Sequence, residues 1–282
     1  MTRVFIAGTK GFCDGCDWVS SLMEERWDER VTRVHIAGTN GGTNIPRLFG
    51  DGWESRVAPH VNLLESFFYV KDWQTRNIHR FKSFILDSGA FTFRESAGRK
   101  RVDWDEYIDR YAAYVRENKV GNYFDLDIDM IVGYERVVAM RRRLESLVGW
   151  PCMPVWHLSY GKDEWLRLCD EYDYVAIGGI AGRNGGTNIE RYLPWFTKEA
   201  HRRGTMVHGL GYTRLDDLPR CNFDTVDSTA WLYGNRGGFL YFWDGSRMNK
   251  VDKPEGKRMN SKAVAQHNFM EWVKMAEDLE GR

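Results

Sequence analysis

The pattern of apolar and polar positions becomes regular from residue 81 onward, where short apolar runs alternate with longer amphipathic stretches. The apolar run Phe84 to Leu86 ends at Asp87. After a polar segment, apolar residues recur every three or four positions from Trp104 to Val115, which is the period of a helix with one buried face. Asp103 and Glu106 form a capping pair before that stretch, so the pattern predicts a strand, a loop and a helix in succession.

Strand and helix continue to alternate through the rest of the chain. The further predicted strands are Tyr123 to Phe124, Met153 to Trp156, Tyr174 to Ile177, Met206 to Leu210 and Phe223 to Val226. The further predicted helices are Glu135 to Leu147, Asp163 to Asp170, Ile189 to Arg203 and a closing helix, Ser261 to Leu279. This alternation is typical of a parallel sheet covered by helices, and the number of units favours an α/β fold closed into a (β/α)8 TIM-type barrel.

The first 80 residues have a less regular pattern. Candidate strands lie at Val4 to Ala7, Val34 to Ala37 and Phe67 to Val70, which is one strand more than a barrel of eight needs. We therefore expect one of the three to be peripheral. Because no Pro/Ser-rich linker divides the chain, and 282 residues suit one barrel, residues 1 to 282 are predicted to form a single domain.

Composition limits the partners and the compartment. Lys and Arg number 40 and so do Asp and Glu, so any contact with a polyanion must come from local basic clusters. Five Cys, without an apolar stretch behind a basic start, argue against a disulfide framework and a signal peptide, and the cytoplasm is the expected compartment. The absence of an apolar run of about 18 residues predicts no membrane span.

One loop sequence occurs twice. Ala37-Gly-Thr-Asn-Gly-Gly-Thr-Asn-Ile45 recurs as Ala181-Gly-Arg-Asn-Gly-Gly-Thr-Asn-Ile189, each time after a predicted strand. Glycines followed by an Asn cap at a helix start can present free N–H groups to a phosphate. A reused strand-to-helix turn without a ligand explains the repeat equally simply.

Functional side chains of such a barrel lie where the strands end, so the polar residues after each apolar run are the candidates. They are Asp87, the alternating Asp125, Asp127 and Asp129, His157, Gly178 and Gly179, the segment His208 to Gly211, and Asp227. Since side chains alternate along a strand, the three odd-numbered aspartates are expected on one face. Like charges crowded at a barrel mouth are costly unless they are hydrogen-bonded, shift their pKa or bind a cation. Their clustering therefore favours a functional role for these aspartates over a purely structural one.

These strand-end residues resemble those of the tRNA-guanine transglycosylase superfamily, and more closely those of its branch of DNA-guanine transglycosylases, often phage-borne, which insert 7-deazaguanines into DNA. The motifs that carry the resemblance are Asp87-Ser-Gly-Ala-Phe91, Leu126-Asp127, Ala176-Ile-Gly-Gly-Ile180, Gly209-Leu-Gly211 and Asp227, in that order over about residues 80 to 235. The resemblance implies a (β/α)8 barrel that exchanges guanine for a preQ0-type base through a covalent glycosyl-enzyme intermediate.

The resemblance also implies residue roles. Asp227 would be the nucleophile and Asp87 the acid/base, since a carboxylate can hold a sugar covalently while a second carboxyl group moves the proton of the base. Phe91 and Leu210 would sandwich the base. The full set of implied base-binding residues is Asp127, Asp125, Phe91, His157, Gly178, Gly179, Ile180, Gly209 and Leu210.

Two departures from the tRNA enzymes favour DNA as the substrate over tRNA, the alternative. The Cys-x-Cys-x-x-Cys zinc site that those enzymes carry after the nucleophile is missing, because no Cys follows Cys221. The position where many members have Gln is His157. Neither a metal nor a cofactor is expected, and a homodimer is possible. Residues suited to nucleic-acid phosphates are Arg94, Arg99, Lys100, Arg101 and Arg236.

Two rival functions fit the same residues. A metal-dependent hydrolase could use Asp125, Asp127, Asp129, His157, His208 and Asp227 as ligands, since carboxylates with imidazoles suit divalent metals. A non-catalytic nucleic-acid-binding module could use the two repeated loops as phosphate cradles.

Overall fold

Eight parallel strands form the centre of the molecule, which is seen in a computed structural model. The structure describes residues 32–93, 102–180, 188–212 and 214–281. Each strand spans two to five residues. The strands are β1 (Arg33–Ala37), β2 (Asn62–Ser66), β3 (Ser83–Asp87), β4 (Asn122–Tyr123), β5 (Val155–Trp156), β6 (Tyr174–Ile177), β7 (Met206–Gly209) and β8 (Thr225–Ser228).

The strands follow one another around a closed ring. β1 pairs in parallel with both β2 and β8, and the remaining neighbours pair in chain order. The ring closes between β4 and β5, where Phe124 forms a parallel bridge with Met153. Two backbone hydrogen bonds join that seam: Met153 N–H donates to the carbonyl of Tyr123 at 2.8 Å, and Asp125 N–H donates to that of Met153 at 3.2 Å. The predicted (β/α)8 barrel is therefore confirmed.

Helices of very different length cover the ring. Four of the five long ones follow β3, β4, β5 and β6 and keep an apolar face towards the strands, and the fifth closes the chain. Several short helices lie in the loops after the strands. The helices are α1 (Ile45–Phe49), α2 (Trp53–Arg56), α3 (Asp72–Thr75), α4 (Trp104–Glu117), α5 (Asp129–Val132), α6 (Tyr134–Val148), α7 (Gly161–Glu171), α8 (Leu193–Arg202), α9 (Leu218–Cys221), α10 (Tyr233–Gly237) and α11 (Ser261–Glu280). No helix among them combines the length and apolarity that crossing a bilayer requires.

Two apolar layers result from the alternation of side chains along each strand. The outer layer fills the space between strands and helices and includes Leu63, Phe84 and Trp156. The inner layer fills the barrel, so the barrel is a packed core. The inner residues are Ala37, Leu64, Ile85, Phe124, Met153, Val155, Tyr174 and Ala176.

The amino-terminal third differs from the predicted pattern. The strand at Val34 to Ala37 is confirmed, and the one at Val4 to Ala7 lies outside the described residues. The strand predicted at Phe67 to Val70 is wrong: these residues form the turn after β2, where Phe67 packs on Tyr111 at a ring separation of 5.1 Å. The real strand, β2, was hidden because its Asn62, Glu65 and Ser66 break the apolar run.

The carboxyl-terminal part adds a hairpin that the pattern did not predict. β9 (Phe239–Trp243) pairs antiparallel with β10 (Met248–Asp252) and packs its buried Tyr241 against Trp272 of α11. Helix α11 then runs to the floor of the barrel. There Glu280 accepts a hydrogen bond from Asn62 of β2 and pairs with Lys82 at 2.7 Å, so the closing helix is tied to the strand starts.

A buried ion pair fixes α6 against the β4–β5 seam. Asp125 is fully buried, accepts from Arg141 Nε at 2.7 Å, and accepts from the backbone N–H of Val155 at 3.0 Å. The expectation that Asp125 shares a face with Asp127 and binds the base is therefore wrong. β4 ends at Tyr123, so strand alternation does not extend over the three aspartates, and Asp125 turns outward beneath α6.

We expect Arg141→Met to lower the free energy of unfolding by about 3–5 kcal/mol, because the carboxylate of Asp125 stays buried without its cation. Urea denaturation at pH 7 measures the change. The double variant Asp125→Asn, Arg141→Met removes both charges and should recover part of the loss. A loss no larger than that of an exposed pair, about 1 kcal/mol or less, would contradict this role.

Candidate active site

The Asp-Ser-Gly turn after β3 places Asp87 at the mouth of the barrel. Its Oδ2 accepts from the backbone N–H of Gly89 at 3.1 Å. Gly89 has φ +73°, and a Cβ there would lie 2.8 Å from the backbone nitrogen of Phe68, so only glycine fits the turn. Desolvation by the surrounding protein, helped by the charges of Asp127 and Asp227, raises the pKa of Asp87 to about 7. Asp87 is thus suited to hold a proton near neutral pH.

Asp227, near the end of β8, has a different environment. Its Oδ1 accepts from the backbone N–H of Gly211 at 2.7 Å and from His208 Nε2 at 3.2 Å. Within the described part of the chain, both hydrogen bonds go to Oδ1. Donors aimed at one oxygen fix the orientation of the carboxyl group and leave Oδ2 for a reacting atom.

A line of hydrogen bonds leads from Asp227 into the barrel. His208 Nδ1 lies 2.7 Å from the hydroxyl of Thr225, which in turn bonds the hydroxyl of Tyr174. If each hydroxyl donates towards the mouth, Tyr174 donates to Thr225, Thr225 to Nδ1, and Nε2–H to Asp227. Every member of the line is then satisfied, which fixes the tautomer and orientation of His208. The sequence singled out His208 by its strand-end position, and the specific role considered for it was that of a metal ligand.

Asp127 and His157 form the third polar group at the mouth. Asp127 Oδ1 lies 2.6 Å from His157 Nε2. Burial lowers the pKa of His157, but the hydrogen bond and charge of Asp127, with the charges of Asp129 and Asp125, outweigh it and raise the pKa. The pair presents an acceptor and a donor on the same side of the mouth.

The Gly178-Gly179 pair after β6 makes room for the imidazole of His157. A Cβ on Gly178 would lie 2.6 Å from His157 Cε1, and one on Gly179 would lie 3.3 Å from Nδ1. Gly178 donates its N–H to the carbonyl of Trp156 at 2.8 Å, whereas the N–H groups of Gly179 and Ile180 form no backbone hydrogen bond with a described residue. These two N–H groups are therefore candidate donors to a ligand beside His157.

The remaining predicted base-binding residues are not all brought together. Gly209 packs against the ring of Phe223, 3.1 Å from where its Cβ would be, so its lack of a side chain serves packing beneath the helices. Leu210 contacts the inner apolar layer at the mouth. The side chain of Phe91 lies outside what the structure describes, as do Arg94, Arg99, Lys100 and Arg101. Arg236 is exposed on α10.

Exposed apolar side chains surround the mouth. They belong to the loops after β2, β4, β5, β6 and β8, and they form a rim that the sequence pattern did not reveal. Large apolar groups left in water at one end of a barrel suit a ligand with flat apolar faces. The rim residues are Phe68, Tyr69, Met130, Ile131, Leu158, Tyr192 and Tyr233.

Asp127, Asp129 and His157 could hold a metal ion, because one ligand atom from each lies within 4.8 Å of the others. The six-ligand site considered from the sequence does not form, since Asp125 is engaged by Arg141 and His208 by Thr225 and Asp227. The first repeated loop forms a capped turn, in which the Asn44 side chain accepts from the N–H of Arg47 at 2.8 Å. Most of the second copy, residues 181–187, lies outside the described residues.

Comparison with known proteins identifies no family: no family model and no curated protein matches the chain. The chain is similar to the carboxyl transferase domain of Rhizobium etli pyruvate carboxylase, solved with pyruvate, at 8% identity and a TM-score of 0.41, over 90% of this chain and 49% of that one, so it spans about half that length. It is similar to nitroalkane oxidase from Streptomyces ansochromogenes at 14% identity and a TM-score of 0.36, over 87% and 86% of the two chains. Likenesses this weak carry no argument about activity.

We expect Asp127→Asn to lower the pKa of His157, because burial remains while the hydrogen bond and charge of Asp127 that oppose its effect are lost. NMR titration of the imidazole resonances measures the shift. Asp129→Asn is the matched control and should lower the pKa less, since Asp129 acts on the ring only through its charge. An unchanged His157 pKa in Asp127→Asn would contradict this account of the pair.

Proposed function

We propose that the protein is a guanine transglycosylase that replaces guanine in DNA by a 7-deazaguanine of the preQ0 type and acts in the cytoplasm. The observation that carries the proposal is the contrast between two neighbouring carboxyl groups at the barrel mouth. Burial raises the pKa of Asp87 to about 7, while Asp227 accepts two hydrogen bonds on one oxygen. Carboxyl groups whose environments differ in this way divide the roles of acid and nucleophile in glycosyl transfer.

The exchange then takes two balanced steps. Asp227 Oδ2 attacks C1′ of the target nucleotide, the C1′–N9 bond breaks, and the proton of Asp87 goes to the departing guanine. In the second step Asp87, now a carboxylate, takes the N9 proton of the incoming base. The nitrogen attacks C1′ and releases Asp227, so the sugar keeps its original configuration.

Recognition of the base is assigned to the groups around His157. Guanine has N1–H and an exocyclic amine as donors and O6 as an acceptor. Asp127 can accept from the donors, and the backbone N–H of Gly179 or Ile180 can meet O6. The exposed aromatic rings of the rim supply stacking surfaces for a nucleotide that has left its duplex.

DNA is proposed over tRNA because the chain lacks the zinc site that the tRNA enzymes carry after the nucleophile. In this chain the corresponding segment forms the β9–β10 hairpin, and it contains no Cys. If the gene is phage-borne, the host cytoplasm would be the compartment.

We expect the purified protein to incorporate a radiolabelled 7-deazaguanine base into duplex DNA with stoichiometric release of guanine. Asp227→Asn should lower the rate by roughly 10⁴-fold or more, because the amide keeps the shape but cannot form the glycosyl ester. Scintillation counting of precipitated DNA and chromatography of the released base measure the two products. Asp163→Asn, on the exposed first turn of α7, is the control and should retain full activity.

Three outcomes of that assay would contradict the proposal. Incorporation into tRNA but not into DNA would overturn the substrate. Loss of exchange after treatment with EDTA and recovery with one stoichiometric divalent ion would favour a metal enzyme that uses Asp127, Asp129 and His157. Binding of DNA without any exchange of bases, unaffected by Asp227→Ala, would favour a non-catalytic binding module.

We expect release of guanine in a single turnover to slow by about tenfold per pH unit above pH 7, because the protonated fraction of Asp87 falls there. The same pKa predicts an effect on stability. Between pH 4 and 7 the folded chain holds a proton on Asp87 that the unfolded chain releases, so this residue makes the folded state less stable as the pH rises.

The variant Asp87→Asn has no titrating carboxyl group at this position in either the folded or the unfolded state. The stability advantage of the variant over the wild type should therefore grow from pH 4 to pH 7 and stay constant above it, as measured by urea denaturation. A pH-independent difference between the two proteins, or guanine release that accelerates above pH 7, would contradict the role of Asp87 as the acid.

A further inference from the structure

A cluster of cations follows the turn of the β9–β10 hairpin. We call residues 247–262, which comprise Arg247, β10, the loop to α11 and the first two residues of α11, the basic hairpin segment. All its cationic side chains are exposed, and none forms an ion pair with a described residue. By contrast, Arg143, Arg167 and Arg203 on the barrel helices each pair with carboxylates. The cations of the segment are Arg247, Lys250, Lys253, Lys257, Arg258 and Lys262.

The segment concentrates charge in a protein that is neutral as a whole. It holds six cations and two anions, Asp252 and Glu255, whereas the full chain has 40 of each sign. The segment therefore carries a net charge of +4 and the rest of the chain −4. Unpaired cations held close together repel each other, and a polyanion relieves that repulsion while releasing its counterions.

Two of these cations have fixed positions. Lys250 Nζ lies 4.9 Å from the ring centroid of Phe239, and the aliphatic part of Lys253 lies against Gly238. A Cβ on Gly238, whose φ is +72°, would come within 2.9 Å of Lys253 Cδ, so the glycine admits this side chain. Side chains held in this way lose less conformational entropy when they bind an anion.

The segment is attached to the active-site mouth. Lys253 donates its backbone N–H to the carbonyl of Gly238 at 3.0 Å, directly after α10. Helix α10 carries the exposed Tyr233 and Arg236, and it follows Asp227 after one 3₁₀ turn. At about 1.5–2 Å per helical residue, residues 230–237 span roughly 15 Å. That length corresponds to about four base pairs of duplex at 3.4 Å each.

We propose that the basic hairpin segment binds the phosphate backbone of the DNA on one side of the nucleotide that is exchanged. This inference rests on the proposed function for its choice of polyanion. Arg236 and Lys253 contact the phosphates nearest the mouth, and Lys257 and Arg258 contact those farther along. The segment reads no bases, because cations that contact phosphates fix the position of the protein on the duplex without distinguishing sequence.

The test compares two triple charge reversals in the full-length protein. The first variant carries Lys253→Glu, Lys257→Glu and Arg258→Glu. The control carries Arg80→Glu, Arg116→Glu and Lys198→Glu, three exposed cations that form no ion pair with a described residue and lie before β3, at the end of α4 and on α8. Both variants change the net charge equally, so effects of total charge cancel in the comparison.

Fluorescence anisotropy with a labelled 20-base-pair duplex at several salt concentrations gives the dissociation constant and its salt dependence. We expect the hairpin variant to bind at least about tenfold more weakly at 0.1 M salt, with the slope of log K against log[salt] shallower by about 2 to 3, since about 0.9 is lost per phosphate contact. The control should match the wild type within a factor of about 2. Circular dichroism and urea denaturation check that both variants fold.

Equal binding by the hairpin variant and the wild type would overturn the proposal, and so would equal weakening in the control. Binding of the wild type to phosphatidylserine vesicles but not to DNA would assign the segment to a membrane surface instead and overturn it as well. Failure of the proposed function has a different signature: DNA binding that depends on the hairpin, without any exchange of bases by the wild type. If the wild type exchanges bases and the hairpin variant binds DNA as well as the wild type does, the proposed function is supported and the proposed binding surface is wrong.

Discussion

Closure of the parallel ring between β4 and β5 is the constraint on which the site depends. Both strands are two residues long, and in the described part of the chain Met153 joins the two sides of the seam by two backbone hydrogen bonds, one with Tyr123 and one with Asp125. Asp125 strengthens the seam, because its carboxylate accepts from Val155 N–H on the β5 side and from Arg141 on α6. The side chain of Asp125 thus supplies hydrogen bonds across the seam that longer strands would form between backbone groups. Without closure, the ends of β3, β5 and β8 would not face a common mouth.

Polar side chains also lie among the apolar residues inside the barrel, and they explain how Asp227 is held. Tyr174, Thr225 and His208 form a line of hydrogen bonds that ends on Asp227. Each polar group inside the barrel would be costly without a partner, so the line is favourable only as a complete unit. The arrangement holds the carboxylate in one orientation, which a flexible strand-end aspartate would lack.

Burial and hydrogen bonding then distinguish the two candidate catalytic carboxyl groups. Desolvation, with charges of the same sign nearby, favours the protonated form of Asp87, while two donors hold Oδ1 of Asp227 and leave its Oδ2 without a partner among the described residues. The hydrogen bond and charge of Asp127 outweigh the effect of burial and raise the pKa of His157. The mouth therefore combines a carboxyl group that can hold a proton near neutral pH with a second one held in a fixed orientation.

The sequence by itself determined the architecture and most of the strand-end residues, because hydrophobic periodicity reports burial over many residues at once. It located the long helices from Trp104 onward but not the short ones, and it placed Asp87, His157 and Asp227 at strand ends. It misplaced the second strand, since Asn62 and Glu65 find partners only in the folded barrel, and it did not predict the β9–β10 hairpin. Only the tertiary structure decided between Asp125 and Asp127, because Arg141, 16 residues away in the chain, takes the former out of the mouth. The hydrogen-bond partner of each polar side chain depends on contacts between segments that are distant in the chain. The local spacing of residues in the sequence does not predict those contacts.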